Sequence, residues 1–206
     1  MFARALTTGA ALAALTLTTA PSRADFLEAD VEVLYSVTGE GSGDTFGFVL
    51  EGVGDLNGDG VSEIVTSAPY RIEGGVRGGK AYLLDGATGS VLRTHVGTTL
   101  NGRLGFRVCP AGDCDADGFP DYAVSAPGDE GSAIAGSVFV YSGDLTRTGA
   151  AALIWRLDSA IAGARLGRGL GPAGDIDGDG HADLLIGAPN EDIGGTDTRT
   201  VYVYSR

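Results

Sequence analysis

The chain has 206 residues, 14 Lys+Arg against 27 Asp+Glu, and a formal charge of −13. Glycine supplies 35 of the residues without a G-X-Y period, and 43% are hydrophobic, which excludes both a collagen and a disordered tail. The acidic balance excludes nucleic acid as a partner, and two cysteines, Cys109 and Cys114, are too few for a disulfide scaffold.

Residues 1–24 read as a signal peptide. Arg4 gives a positive start, residues 5–20 are uncharged and rich in Ala, Leu and Thr, and Ser22-Arg23-Ala24 offers small residues before a cut at Asp25. The run is short and threonine-rich for a membrane span. No second apolar run follows it, so the mature chain, residues 25–206, is expected to be exported without a transmembrane span, to the extracellular space or a periplasm. Its removal leaves 12 basic and 27 acidic residues.

Three copies of one unit follow. Residues 33–48 align without a gap onto 91–106 at an offset of 58, and 91–106 onto 153–168 at an offset of 62. The additional residues of the second offset fall mainly at 144–152, where a surface loop absorbs length. The first strand of each unit is expected to open on Phe46-Gly47, Leu104-Gly105 or Leu166-Gly167. An acidic loop comes next, then an apolar strand ending in Ala-Pro at 64–69, 122–127 or 184–189. A polar stretch leads to an alternating strand at 80–84, 137–141 or 200–204, and a fourth strand lies at 91–96 and 153–157. No segment holds a 3.6-residue period, so the fold class is all-β, with blades of four antiparallel strands of the β-propeller type. The blades are expected at about 45–96, 103–157 and 165–205, with an orphan outer strand at about 31–37.

The acidic loops carry the chemistry. They place oxygen side chains at Asp55, Asn57, Asp59 and Glu63, then Asp113, Asp115, Asp117 and Asp121, then Asp175, Asp177, Asp179 and Asp183, with Gly at the sixth position each time. Calcium takes six to eight hard oxygens, and alternate residues of a tight loop can supply them; the seventh-position carbonyls of Val61, Phe119 and His181 would add a backbone ligand. An EF-hand is excluded, because its twelfth-position Glu is replaced by Thr66, Val124 or Ile186 inside a strand. Unneutralised, clustered carboxylates repel by about 4 kcal/mol per pair at an effective dielectric of 20, so folding is expected to depend on up to three calcium ions.

These residues together resemble the FG-GAP repeats of the integrin α-subunit N-terminal propeller family. Phe46-Gly47 and Ala68-Pro69 bracket the first loop as that name describes, and Gly187-Ala188-Pro189 closes the third. The resemblance runs over about residues 31–205. It implies a β-propeller that binds calcium on one face and protein or other partners on the opposite one. Glu63 stands where the family has Asp, and Asn57 lowers the loop's charge, so the first site is expected to be the weakest. The family closes its ring with seven blades, whereas this chain holds three, an incomplete ring that self-association or a partner chain would complete. An exposed blade edge favours such pairing.

Little else suggests chemistry. His95 and His181 form no metal-ligand pair, and no nucleophile elbow, zinc-protease or Walker motif is present. Trp155 aligns with Tyr35 and Arg93 and reads as a blade-edge residue rather than a sugar platform. Cys109 and Cys114 leave two readings open, a bridge pinning the second loop or two buried thiols. The expected function is a secreted, non-enzymatic calcium-binding module for adhesion to an extracellular protein or glycan. The alternatives are the propeller portion of an extracellular hydrolase, or a truncated fragment without independent function. Residues 70–79, 128–136 and 190–199 differ most between copies and are the candidate recognition stretches.

Overall fold

The computed structural model describes residues 16–18, 33–192 and 199–205. The signal peptide reading and the middle of the third variable stretch lie largely outside them. Among the described residues thirteen strands and one short 3-10 turn are found, and no helix is long and apolar enough to cross a membrane. In chain order the strands are β1 (Thr16–Thr18), β2 (Ser36–Thr38), β3 (Leu50–Gly54), β4 (Glu63–Ala68), β5 (Lys80–Leu84), β6 (Val91–Val96) and β7 (Val108–Gly112). There follow β8 (Asp121–Ala126), β9 (Ser137–Tyr141), the turn Gly149–Ala152, β10 (Leu153–Asp158), β11 (Gly169–Gly174), β12 (Asp183–Ala188) and β13 (Thr200–Tyr204).

The repeat becomes three antiparallel sheets: β3-β4-β5-β6, β7-β8-β9-β10 and the three-stranded β11-β12-β13. The fold is therefore all-β, an open set of propeller blades rather than a closed ring. The expected third strands coincide with the observed ones residue for residue. The Phe/Leu-Gly pairs do not open the first strands. They sit in a tight turn just before them, with Thr45, Arg103 and Arg165 at φ 58, 59 and 61°. That turn lets Gly47, Gly105 and Gly167 donate sideways to the carbonyls of Ser67, Ser125 and Gly187.

Each first strand also carries the same irregularity. The register slips between Gly52 and Gly54, Pro110 and Gly112, and Pro172 and Gly174. The glycine that ends each pair has positive φ, at 95, 72 and 71°, as a glycine bulge requires. The bulge bends the chain out of the sheet and delivers it into the acidic loop.

The sheets meet through their first strands, β3 against β7 and β7 against β11. Val53, Val65, Leu83, Val108, Tyr122 and Val124 fill the first interface, and Cys109, Ala123, Val140, Leu184 and Ile186 fill the second. Gly79 and Gly136, at matching positions before the third strands, let the next sheet approach. A Cβ there would lie 2.3 Å from the Leu104 carbonyl oxygen or 2.4 Å from the Leu166 nitrogen. Both cysteines are buried free thiols, and burial pushes each up to about 12.

The described part of the orphan segment carries β2. Ser36–Thr38 binds β1, antiparallel, instead of the open edge of β13. Its segment packs on the first sheet: the Tyr35 hydroxyl donates to the Gly86 carbonyl at 2.7 Å, and Phe46 meets Tyr82 edge-on at 5.2 Å. Glu40 adds a largely buried pairing with Lys80 at 2.9 Å and Arg71 at 2.9 Å. Tyr35 thus plays on the first sheet the part that its aligned partner Arg93 plays on the second. Arg93 donates to the carbonyls of Ser142, Asp144 and Arg147 at 2.6, 3.0 and 2.8 Å and to the Tyr122 hydroxyl at 3.1 Å. Trp155, third in the series, lines a groove with Tyr204 and Ser205, which supports the blade-edge reading.

His95 lies beside this clasp, stacked on Tyr141 at 3.5 Å with Nε2 2.8 Å from the Tyr122 hydroxyl. Burial, and then the Arg93 charge, push it down to about 3 from 6.5. The unfolded chain therefore takes a proton that the folded chain refuses. Stability is complete above pH 6.5 and falls as the pH drops from there toward 3. Urea unfolding should lose up to about 1.4 kcal/mol per pH unit in that window, and His95→Gln should lose only this part of the slope. Equal slopes for both proteins between pH 6 and 5 would place the effect elsewhere.

Candidate metal centres

The three acidic loops lie at one end of the blades, each joining a first strand to a second. The strand order puts residues 69–79 and 127–136 at the other end, roughly 17 Å away across a six-residue strand. The first two variable stretches therefore occupy the end opposite the loops, a placement that antiparallel pairing decides and sequence comparison alone does not.

The first residue of each loop organises the backbone. Asp55 Oδ1 accepts from Gly58 and Asp59 at 2.7 and 3.2 Å, and its Oδ2 from Gly60 at 2.8 Å. These N–H groups, Gly60 first, hold its carboxyl below the usual range. Asp175 repeats the pattern with Gly178, Asp179 and Gly180, and Asp113 with Asp117 and Gly118. The fifth-position Asp59, Asp117 and Asp179 accept the backbone N–H of Val61, Phe119 and His181 at 2.7, 2.9 and 2.8 Å. The ninth residue turns back under the loop: Glu63, Asp121 and Asp183 are buried and accept the backbone N–H of Leu56, Cys114 and Ile176. Burial pushes Asp121 up to about 7 despite its bonds from Gly143 and Cys114.

Three carboxylate clusters result, with oxygens within 4.8 Å of one another: Asp113, Asp115 and Asp121; Asp175, Asp177 and Asp183; and Asp59, Glu63 and Asp85. Asp55, Asp117 and Asp179 stand outside these groups. The His181 ring is directed away, with Nδ1 3.1 Å from the Cys114 carbonyl. Asp85 is a residue that sequence reasoning missed. It ends the third strand where Ser142 and Ser205 stand in the other copies, and these serines reach Asp117 at 3.5 Å and Asp177 at 2.7 Å. The recurrence of a short polar residue one place after Leu84, Tyr141 and Tyr204 was the available signal.

A hard cation suits the second and third loops better than the first. Asp115 Oδ1 and Asp183 Oδ1 are buried without a hydrogen-bond partner, an arrangement unfavourable for a carboxylate unless something positive meets it. In the second loop Arg147 supplies part of that charge, donating to Asp115 at 2.6 Å. In the first, the Asn57 amide donates to Asp59, Glu63 and Asp85 at 3.3, 3.0 and 3.3 Å, standing among the oxygens itself. The third loop has four carboxylates and no basic side chain bound to them among the described residues.

Comparison with known proteins agrees with this geometry. The FG-GAP repeat family matches residues 51–84 and 167–204. The middle unit lies outside the matched spans yet has the same strands, bulge and loop. The chain is 33% identical over 179 residues to integrin alpha-IIb of Homo sapiens, covering 80% of this chain and 17% of that protein. It is 31% identical over 174 residues to integrin alpha-4 of Xenopus laevis, 78% of this chain and 16% of the relative. With integrin alpha-V of Gallus gallus it shares 32% over 182 residues, 82% and 17% of the two chains. The chain spans about a sixth of the length of these curated relatives.

Proposed function

Because the chain belongs to the FG-GAP repeat family of integrin α-type propellers, we propose that it is an extracellular calcium-binding module whose metal role is structural. The calcium would be held by Asp113, Asp115, Asp117 and Asp121, by Asp175, Asp177, Asp179 and Asp183, and most weakly by Asp55, Asn57, Asp59 and Glu63 with Asp85. The carbonyls of Val61, Phe119 and His181 remain proposed backbone ligands. The observation that carries this reading is the pair of buried, partnerless oxygens on Asp115 and Asp183 inside repeated carboxylate clusters. Bound calcium would remove the mutual repulsion of these groups and fix the bulges that lead into the loops. The opposite end, built from the variable stretches, would then present a fixed surface to an extracellular protein.

Calorimetric titration of the calcium-free chain tests this. Up to three sites should fill, the third loop first, and Asp177→Asn should remove that first site alone. Heats no larger than those of a chain with Asn at Asp115, Asp177 and Asp59 together would refute the assignment.

A further inference from the structure

The end opposite the acidic loops has a charge of its own. Arg77, Arg103, Arg107, Arg165 and Arg168 come together there from three different copies, although the chain is strongly acidic overall. Four of them gather on two rings. Arg168, Arg107 and Arg103 stand 4.4, 5.2 and 5.9 Å from the centre of Phe106, and Arg103 and Arg77 stand 4.9 and 5.0 Å from that of Tyr70. Phe48 extends the aromatic floor, 5.7 Å from Phe106 and 6.3 Å from Tyr70.

The charges are incompletely answered. Asp129 pairs with Arg103 and, at 3.7 Å, with Arg77, while Glu130, mostly in solvent, reaches Arg165 at 3.5 Å. Arg107 and Arg168 have no carboxylate partner among the described residues. Arg165 is 6% exposed, and its Nε is buried without a hydrogen-bond partner. Burial and then the neighbouring Arg165 and Arg107 charges lower the proton affinity of Arg168.

Resting on the binding-module reading above, we propose that this arginine cluster over Phe106 and Tyr70 is a recognition site for an acidic peptide segment of a partner protein. A guanidinium fork matches a carboxylate in shape and can donate two hydrogen bonds to it. Exposed Phe48 and Ile72 supply apolar contact for the side chains flanking an acidic residue, which favours a peptide over a sulfated sugar chain. The Leu-Gly turns that put Arg103 and Arg165 at positive φ, as Thr45 is in the first copy, place both arginines at the same end of adjoining blades.

Fluorescence anisotropy on the calcium-loaded chain tests the proposal with three probes: a labelled peptide alternating Glu and Leu, its Gln–Leu counterpart, and a labelled sulfated oligosaccharide. The Glu peptide should bind, despite the repulsive net charge, and should weaken as salt rises. Arg107→Ala with Arg168→Ala should lower its affinity about tenfold or more per guanidinium removed. Arg156→Ala, whose guanidinium pairs with Asp158 on an outer strand, should change nothing. If the double variant does not fold, Arg107→Gln, at an exposed position, replaces it. Equal binding of the Gln peptide, unchanged binding by the Arg107 variants, or binding of the oligosaccharide in place of the Glu peptide would each overturn the proposal. The chain is first melted with and without chelator. A calcium-insensitive melt defeats the module reading, whereas a calcium-responsive chain that ignores the Glu peptide defeats only this one.

Discussion

Removing calcium is expected to lower the melting temperature by about 11–22 °C. A ligand at about a hundred times its dissociation constant contributes about 2.7 kcal/mol per site, and 1 kcal/mol moves the midpoint of a domain this size by about 2–4 °C. Two well-filled loops therefore suffice, and the third-ranked first loop adds less. Variants at the buried ninth position separate calcium binding from ordinary loop stability. Asp183→Asn keeps the acceptor for the Ile176 N–H, bonded at 2.7 Å, but removes a charge from the cluster with Asp175 and Asp177. With calcium it should melt below the parent by one site's contribution. With chelator it should melt at or above the parent, because one repulsive charge is gone. A variant less stable than the parent under both conditions would mean that the loop does not hold a cation.

Arg93→Ala is the second large effect. One side chain bonds three carbonyls of the turn after the second sheet's third strand, together with the Tyr122 hydroxyl. Its loss leaves several acceptors turned inward without donors, at about 1–3 kcal/mol for each that water cannot reach. We expect about 3–5 kcal/mol in urea unfolding. Arg93→Lys should recover little, since an ammonium on a single stem cannot span four acceptors. A change under 1 kcal/mol for Arg93→Ala would assign the cohesion of the two sheets to the apolar contacts of Val53, Leu83 and Tyr122 alone.

Much of this architecture was legible because the chain repeats itself. Three registers agreeing at Asp55, Asp113 and Asp175 made the loops recognisable, and period-two alternation fixed the strands from 80–84, 137–141 and 200–204. What escaped were contacts between elements far apart in sequence. Asp85 joins Asp59 and Glu63 only because β5 lies beside β4. Arg93, read as the counterpart of Trp155, gave no sign of its four acceptors, which belong to the next sheet. Arg77, Arg107 and Arg168 are scattered through three copies and meet only when the first strands pack side by side. The position of Phe46-Gly47 was misjudged for another reason. Strand propensity at Phe46 is overridden by the turn at Thr45, whose φ of 58° aims the following N–H groups at a neighbouring strand.

The excess of carboxylates at the loop end, set against an opposite end where arginines stand among Asp129 and Glu130, makes the molecule a permanent dipole. In the field of a negatively charged surface such a body feels a torque, and it would approach arginine-end foremost even though its overall charge is repelled. Metal uptake shrinks the negative pole and so weakens the torque, while added salt shortens the distance over which it acts. Capture on an anionic surface should accordingly be fastest at low ionic strength and in one orientation, with the acidic loops left facing the solution.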